Sequence, residues 1–229
     1  MEKLRFPCLV MDHDDTVVNS TAVVHFPAFL DAMRQLRPEM NLSGYTLEDY
    51  FRVNFQPGIL PYYRKVLGFS DEEMQREYEI WQEHVARTIP RVYPGVADLI
   101  RRYTALGGTV CVISHSVDVN IRRDWQAGGL PEPRLIYGWE QPPERRKPAP
   151  FPLLDIMERL GFAPKEMLVV DDLKPGYDMA RAAGVAFAAA LWSHEIPEIR
   201  DFMQAKCDHA FTAPEALADW LFLREEGEA

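Results

Sequence analysis

The segment that decides the fold lies at residues 6–16 and has the sequence FPCLVMDHDDT. An uninterrupted apolar run ends at Met11, and the acidic residues Asp12, Asp14 and Asp15 follow it within a few positions. Short runs that are apolar on both faces are typical of central strands in a parallel sheet, and such sheets bind ligands at the carboxyl ends of their strands. The segment therefore predicts a buried strand that ends in a cluster of carboxylates at the ligand-binding edge.

Asp12 and Asp14 are two residues apart, so in an extended chain their side chains point the same way while His13 turns aside. Two carboxylates held together in a crevice repel each other unless a cation or a shared proton intervenes. Mg²⁺ is the natural partner of such a pair because it is a hard cation that prefers oxygen ligands. Taken alone, the pair is interpreted equally well as a solvated acidic turn after a strand.

Apolar runs and amphipathic segments alternate from about Arg91 onward. The runs at Thr109–Ile113 and Met167–Val170 predict strands, and Arg134–Tyr137 and Val185–Ala189 are weaker candidates. Helical spacing of apolar residues predicts helices between these strands, beginning near Val96, Leu153 and Pro175. This alternation indicates a doubly wound, Rossmann-like α/β core with a parallel sheet.

The stretch from about Asn19 to Pro90 contains no convincing buried strand. Its clearest predicted element is a helix. A capping box at Ser70–Glu73 marks the start of this helix, and its apolar stripe is formed by Met74, Tyr78, Trp81 and Val85. We therefore expect an all-helical domain at residues 19–91, inserted into a catalytic core formed by residues 1–18 and 92–229. Its position directly after the first strand is suited to a lid over the ligand site.

Composition limits the class of protein and its partners. The 229 residues are 47% hydrophobic and 26% charged, which is enough to bury a core and argues against disorder. The formal net charge of −10 argues against a nucleic acid as the partner, and no apolar run approaches a membrane span of roughly 18 residues. Cys8, Cys111 and Cys207 have no paired spacing and are interpreted as buried thiols in a reducing cytoplasm. Oligomeric state stays unknown at this level.

Polar residues follow the other predicted strands as well. Ser114 comes after the run ending at Ile113, Lys147 lies in a proline-rich loop, and Asp171 and Asp172 come after a third run. An acid, a hydroxyl, a lysine and an acid in this order resemble the four motifs of the haloacid dehalogenase superfamily. The helical insertion resembles the C1-type cap of that family, and the subgroup resembled most is the phosphoglycolate phosphatase and β-phosphoglucomutase-like set.

The resemblance implies a Mg²⁺-dependent phosphohydrolase that acts on a small phosphorylated metabolite through an aspartyl-phosphate intermediate. In that scheme Asp12 is the nucleophile, and Asp14 is the general acid and base. Ser114 and Lys147 bind the phosphoryl group, and His115 is a candidate substrate contact. The implied metal ligands are Asp12, the backbone carbonyl of Asp14, Asp172 and, indirectly through water or Lys147, Asp171.

Asp14 favours phosphate esters over the family's other reactions, because the dehalogenase and phosphonate branches lack an acid at that position. A sugar phosphomutase of the β-phosphoglucomutase type would use the same two acids and stays the alternative. A non-catalytic phosphoacceptor or binding module is a remote alternative. Phosphoacceptor receiver modules place their paired acid and their lone phosphoacceptor in a different order along the chain.

Asp15 departs from the family pattern, and two interpretations are open for each of several residues near the motifs. Asp15 stands where most relatives carry Gly, and is interpreted either as a tolerated polar residue pointing outward or as part of an altered leaving-group pocket. A surface or structural role is favoured for His115 over contact with the leaving group. Arg145 and Arg146 either widen the positive pocket or form a solvated loop.

Overall fold

The computed structural model describes residues 2–224 of the chain. These residues fall into two compact units, one made of the residues up to Val18 with those from Val92 onward, and the other of Asn19–Arg91. Each unit has its own hydrophobic core. No helix among the described residues is long and apolar enough to cross a membrane.

The first unit is built on a parallel β-sheet. The strands described in the chain are β1 (Glu2–Leu4), β2 (Cys8–Met11), β3 (Thr109–Ile113), β4 (Ile136–Tyr137), β5 (Met167–Asp171), β6 (Ala186–Ala190), β7 (His209–Phe211) and β8 (Phe222–Arg224). Six of them form one sheet in the order β4-β3-β2-β5-β6-β7, and every pairing in it is parallel. The remaining two, β1 and β8, form a separate antiparallel pair.

Helices connect the strands of the first unit and make up most of the second. They are α1 (Phe26–Leu36), α2 (Leu47–Phe55), α3 (Ile59–Pro61), α4 (Asp71–Arg87), α5 (Val96–Ala105), α6 (Asp118–Ala127), α7 (Phe151–Leu160), α8 (Lys174–Ala183), α9 (Pro197–Lys206) and α10 (Pro214–Leu221). The doubly wound α/β fold predicted from the alternating pattern is confirmed. The first predicted strand is shorter than expected, because Pro7 has no backbone N–H to donate to a neighbouring strand.

Parallel pairing places the ends of β2, β3 and β5 side by side. Met11 is paired with Val112 on one neighbour and with Val170 on the other. The Asp12 N–H donates to the Val170 carbonyl at 2.8 Å, one residue beyond the last pair. The polar residues that follow these three strands are therefore brought to the same edge of the sheet.

The predicted buried thiols are confirmed at two of the three cysteines. Cys8 and Cys111 lie on the adjacent strands β2 and β3 and are fully buried. Cys207 is partly exposed, so that part of the interpretation is wrong. Cys207 is the residue that caps the carboxyl end of α9, and unlike Cys8 and Cys111 it does not lie on a strand of the sheet. All three are free thiols.

The second unit is helical throughout its regular structure, as its sequence predicts. Its core includes Phe29 and Met33 on α1, with Ile80 on α4. The predicted capping box is present, since Ser70 N donates to Glu73 Oε2 at 2.8 Å and Glu73 N donates to Ser70 Oγ at 3.2 Å. Of the apolar stripe predicted for α4, Val85 is buried. Ile80, which the predicted stripe did not include, is buried as well.

A glutamate of α4, Glu77, has a carboxyl group that burial makes less acidic. Tyr63 donates its hydroxyl hydrogen to Glu77 Oε1 at 3.0 Å, and His25 contributes positive charge nearby. Burial outweighs both effects and raises the pKa of Glu77 to about 7. An acid whose pKa is higher folded than unfolded destabilises the protein as pH rises through the interval between the two values, and the loss persists above it.

We therefore expect Glu77→Gln to raise the free energy of unfolding near pH 8 by about 1–3 kcal/mol, and to change it little near pH 4. Glutamine keeps an acceptor for the Tyr63 hydroxyl and removes the charge. Urea unfolding at the two pH values measures the difference. Glu83→Gln, on the same helix with a side chain 52% exposed, is the matched control and should show no gain. An equal effect of Glu77→Gln at both pH values would contradict the expectation.

Candidate active site

A buried lysine joins two acidic residues at the carboxyl edge of the sheet. Lys147 Nζ donates to Asp12 Oδ1 at 2.6 Å and to Asp171 Oδ2 at 2.8 Å. All three residues are at most 9% exposed. Asp12 directly follows β2, Asp171 ends β5, and Lys147 lies in the loop before α7. The topology of the sheet therefore brings residues that are far apart in sequence to one ion-paired cluster.

Three carboxylates in this cluster are arranged as potential metal ligands. Oxygens of Asp12, Asp171 and Asp172 all lie within 4.8 Å of one another. Asp172 Oδ2 is buried and has no hydrogen-bond partner. A buried carboxylate oxygen without a partner is costly, and a set of oxygen donors suits a hard divalent cation. The residues present therefore fit Mg²⁺.

The electrostatics of the cluster lead to the same conclusion. Burial raises the pKa of Asp12 and of Asp172 well above the usual range, and the charge of Asp171 raises both further. Burial alone would lower the pKa of Lys147, but the carboxylates of Asp12 and Asp171 outweigh it and raise that pKa. Lys147 is therefore charged. A single ammonium group does not balance three buried carboxylates, so a cation is needed to keep them ionised together.

Asp14 has a different environment from Asp12. Its Oδ2 atom accepts hydrogen bonds from Ser114 Oγ at 3.0 Å and from Ser116 Oγ at 2.8 Å. The Ser116 backbone N–H donates to Ser114 Oγ at 3.0 Å, which connects the two serines. Sequence reasoning did not select Ser116. A signal was available, because Ser114 and Ser116 have the same i, i+2 spacing after a strand as Asp12 and Asp14.

Asp15 is not an outward-pointing residue, so that interpretation is wrong. It is only 3% exposed, and the Tyr93 hydroxyl donates to its Oδ1 atom at 3.2 Å. Its φ of 61° lies in the left-handed region that favours glycine and that aspartate tolerates better than most residues. The backbone turns sharply here, since Asp15 N donates to Val18 O at 2.7 Å. This conformation is the reason that glycine suits the position.

His115 is an exposed residue whose ring nitrogen Nε2 lies 2.8 Å from the Lys147 carbonyl oxygen. A carbonyl oxygen can only accept, so Nε2 of His115 carries a proton and donates it to the Lys147 carbonyl. The edge of the His115 ring also meets the ring of Trp139. Arg146 stacks on the same Trp139 ring, with its guanidinium carbon 3.9 Å from the ring centre. Arg145 lies over Phe151 at 4.5 Å.

The sequence of this chain matches a family model described as haloacid dehalogenase-like hydrolase over residues 9–190. The chain belongs to this family. The predicted family is thereby confirmed, and the matched segment includes both carboxylate environments described above.

Known proteins similar to this member of the haloacid dehalogenase-like hydrolases include a phosphoglycolate phosphatase of Xanthomonas campestris pv. campestris. It is 34% identical over 122 residues, which cover 44% of this chain and 55% of that protein. The chain thus spans about half the length of this relative. A phosphoglycolate phosphatase of Mesorhizobium japonicum is 23% identical, and the alignment covers 86% of this chain and 87% of that protein. These names agree with the predicted subgroup.

A solved structure shows the same fold. It is a variant of CbbY from Rhodobacter sphaeroides in complex with xylulose-(1,5)bisphosphate, with a TM-score of 0.71 and 18% identity. The match covers 91% of this chain and 95% of that one. The haloacid dehalogenase-like architecture predicted for the chain is therefore present over most of its length.

The structure brings the predicted site residues into two connected groups. Lys147 joins Asp12 to Asp171. Together with Asp172, these two aspartates form a group of three carboxylates that we call the acidic set. Ser114 instead contacts Asp14, whose carboxylate is not part of the acidic set. The catalytic and metal-binding roles of these residues stay predictions.

Proposed function

We propose that the protein is a Mg²⁺-dependent phosphohydrolase that acts on a small phosphorylated metabolite through an aspartyl-phosphate intermediate. The main support is that Asp12 and Asp14, two residues apart, have separate partners. Asp12 pairs with Lys147 in the acidic set, whereas Asp14 is bound by the hydroxyls of Ser114 and Ser116. A nucleophile and a proton donor need different environments. Two neighbouring acids with different hydrogen-bond and charge partners are therefore candidates for these two roles.

Asp12 is the nucleophile in this mechanism. One carboxylate oxygen attacks phosphorus and forms a new P–O bond, while the bond from phosphorus to the alcohol oxygen breaks. Asp14 donates a proton to the departing oxygen. It then accepts a proton from the water that attacks the aspartyl phosphate, and this step releases inorganic phosphate and restores Asp12.

Positive charge around Asp12 makes that attack possible. Lys147 lies 2.6 Å from the Asp12 carboxylate and offsets part of the repulsion between it and an incoming phosphate. Asp12, Asp172 and the backbone carbonyl of Asp14 are the proposed Mg²⁺ ligands, and Asp171 supports Lys147. When bound there, Mg²⁺ would add positive charge against the phosphoryl oxygens. Ser114 provides a hydroxyl donor to the same oxygens once it leaves Asp14.

The relatives and the chemistry together support the proposed substrate class. Two similar proteins are named phosphoglycolate phosphatase, and one structure of the same fold contains xylulose-(1,5)bisphosphate. Both compounds are small phosphate esters of an alcohol, and such esters need the proton donor that Asp14 supplies. A panel of phosphorylated metabolites that includes these two is therefore the appropriate substrate screen.

Steady release of inorganic phosphate from p-nitrophenyl phosphate and from at least one panel member, in the presence of Mg²⁺, is the direct test. We expect EDTA to stop the release and excess Mg²⁺ to restore it. A phosphomutase would isomerise a sugar phosphate without net release. Absence of release from every compound would contradict the proposal and favour a binding role.

Asp14→Asn is expected to lower kcat/KM for an alkyl phosphate by about 10²–10⁴-fold. The loss for p-nitrophenyl phosphate should be smaller, because p-nitrophenolate leaves without needing a proton. Asparagine keeps an oxygen that accepts from Ser114 and Ser116, so the fold and Mg²⁺ affinity should change little. Steady-state kinetics on both substrates and a Mg²⁺ titration measure these effects. Equal losses on the two substrates would count against Asp14 as the proton donor.

A further inference from the structure

His13 lies between the two acids and is buried against α6. It is 1% exposed, and both of its ring nitrogens have partners on that helix. Nε2 lies 3.2 Å from Asp124 Oδ2, and the Trp125 indole N–H donates to Nδ1 at 3.3 Å. Asp124 and Trp125 are themselves at most 4% exposed. His13, which the sequence predicts to turn away from the two acids, therefore belongs to a buried polar network.

The hydrogen bonds fix the state of the imidazole ring. An indole nitrogen can only donate, so Nδ1 of His13 must accept and the ring proton is on Nε2. That proton is donated to Asp124, and the negative charge of Asp124 is balanced by Arg123, whose Nε lies 2.8 Å from Oδ1. Each member of the network has a partner. A fully satisfied buried polar network holds its members in one geometry, which apolar packing does less strictly.

This network connects the loop that carries the acids to the segment that carries the serines. The helix α6 begins at Asp118, two residues after Ser116. Ser116 in turn donates to Asp14, the residue after His13. The backbone of His13 is also anchored, because its carbonyl oxygen accepts from the N–H groups of Val17 at 3.0 Å and Val18 at 3.1 Å. The loop is thus attached to the same chain segment at two successive residues.

We infer that His13 is a positioning residue, and that its hydrogen bonds to Asp124 and Trp125 set the direction in which Asp14 presents its proton to the leaving group. This role rests on the proposed function. It assigns to His13 no contact with substrate and no transfer of a proton. A shift of about 1 Å in a reacting group costs up to about 10²-fold in rate, so a small relaxation of the loop is enough to have a measurable effect.

The dependence on the leaving group separates positioning from general structural support. If the network positions Asp14, its disruption lowers kcat/KM for an alkyl phosphate, whose alkoxide needs a proton. It affects kcat/KM for p-nitrophenyl phosphate much less. A merely structural role would lower both values together, in proportion to the fraction of protein that is misfolded.

The test compares His13→Leu with His13→Gln. Leucine fills the volume without hydrogen bonds, and we expect kcat/KM for the best alkyl phosphate of the panel to fall about 10–10²-fold, against less than about 3-fold for p-nitrophenyl phosphate. Glutamine has an amide N–H₂ group that can donate and a carbonyl oxygen that can accept, so it should restore part of the difference. Trp125→Phe removes only the indole donor, so a smaller change of the same kind is expected. His84→Leu disrupts the His84–Asp31 pair of the second unit and should leave the ratio of the two kcat/KM values unchanged.

Thermal unfolding and a Mg²⁺ titration accompany each variant. Equal losses on both substrates, or an unchanged ratio in His13→Leu when it is as folded as the wild type, would overturn the positioning role. Asp14→Asn is measured in parallel as the reference for a missing proton donor. If Asp14→Asn shows the leaving-group dependence and His13→Leu does not, the proposed function survives and this inference fails. If the wild type releases no phosphate at all, both fail.

Discussion

Asp12→Asn is expected to abolish phosphate release, with kcat reduced by at least about 10⁴-fold. The asparagine amide cannot attack phosphorus, so no aspartyl phosphate forms. The variant should stay folded. Burial raises the pKa of Asp12 well above its usual range, which means that the site disfavours the charge that asparagine removes. Lys147 loses one charged partner but keeps Asp171 at 2.8 Å, so the net change in unfolding temperature is expected to be a few degrees at most.

Phosphate release from p-nitrophenyl phosphate and from the best panel substrate measures the loss, and thermal unfolding monitors the fold. Asp98→Asn is the matched control, because that carboxylate has a side chain 88% exposed on α5. It should retain full activity. Turnover above about 1% of wild type in a purified, folded Asp12→Asn protein would contradict the covalent mechanism.

The architecture and the location of the site could be predicted because both depend on local patterns. The run at Thr109–Ile113 is apolar on both faces, and it coincides with β3 in the structure. Once three such runs are placed in one parallel sheet, their carboxyl ends meet at one edge. Ser114 and Asp172 come directly after such runs, so their presence near Asp12 required no knowledge of side-chain geometry.

The partners of each side chain could not be predicted in this way. His13 and Asp124 are separated by 111 positions, and Tyr93 and Asp15 by 78. Nothing in the local sequence indicates such pairs, because they depend on how loops from different strands pack. His13 was expected only to turn aside, and the network it enters is visible only in three dimensions.

Backbone conformation was equally hidden at Asp15. Glycine adopts a left-handed φ without steric cost, but an aspartate in the sequence does not reveal whether its φ is left-handed. The structure shows that it is left-handed, with a φ of 61°. The side chain then has to be buried, and the Tyr93 hydroxyl provides its hydrogen bond.

The pairing of β1 with β8 was also not predicted. Each strand has three residues, too short for an alternating pattern to be distinguished from a loop. The two strands are far apart in the sequence, so only the folded sheet and its helices bring them together.

Lys147→Met is expected to have the largest effect on stability, a loss of about 3–5 kcal/mol in the free energy of unfolding near pH 8. Methionine has a similar length but no charge, and it leaves Asp12, Asp171 and Asp172 buried without the ammonium group that now balances part of their charge. Removing one partner of a buried ion pair costs more stability than replacing both partners by apolar residues, because the remaining charge stays desolvated. Activity should be lost in the same variant, since Lys147 no longer offsets the charge repulsion between the Asp12 carboxylate and an incoming phosphate.

The pH dependence of this loss has a definite sign. Lys147 lowers the pKa values of Asp12 and Asp172, so without it these two values rise further above those of the unfolded chain, and the folded state retains protons that the unfolded state has lost. The destabilisation should therefore be smaller near pH 5, where the carboxyls are more fully protonated, and larger near pH 8. Millimolar Mg²⁺ should restore part of the stability near pH 8, because under the proposed function it would bind Asp12, Asp171 and Asp172 in the folded state and not in the unfolded chain.

Urea unfolding near pH 5 and pH 8, with and without Mg²⁺, measures all three effects. Lys174→Met is the matched control, because Lys174 pairs with Asp178 one turn along α8 and its side chain is 31% exposed. Partly exposed pairs of this kind contribute less than about 1 kcal/mol, so this variant should show neither the large loss nor the Mg²⁺ response. A Lys147→Met protein as stable as the wild type near pH 8 would mean that the carboxylates are already neutral. In that case Lys147 would not be the counter-charge of the site, and the acidic set would not need a cation to fold.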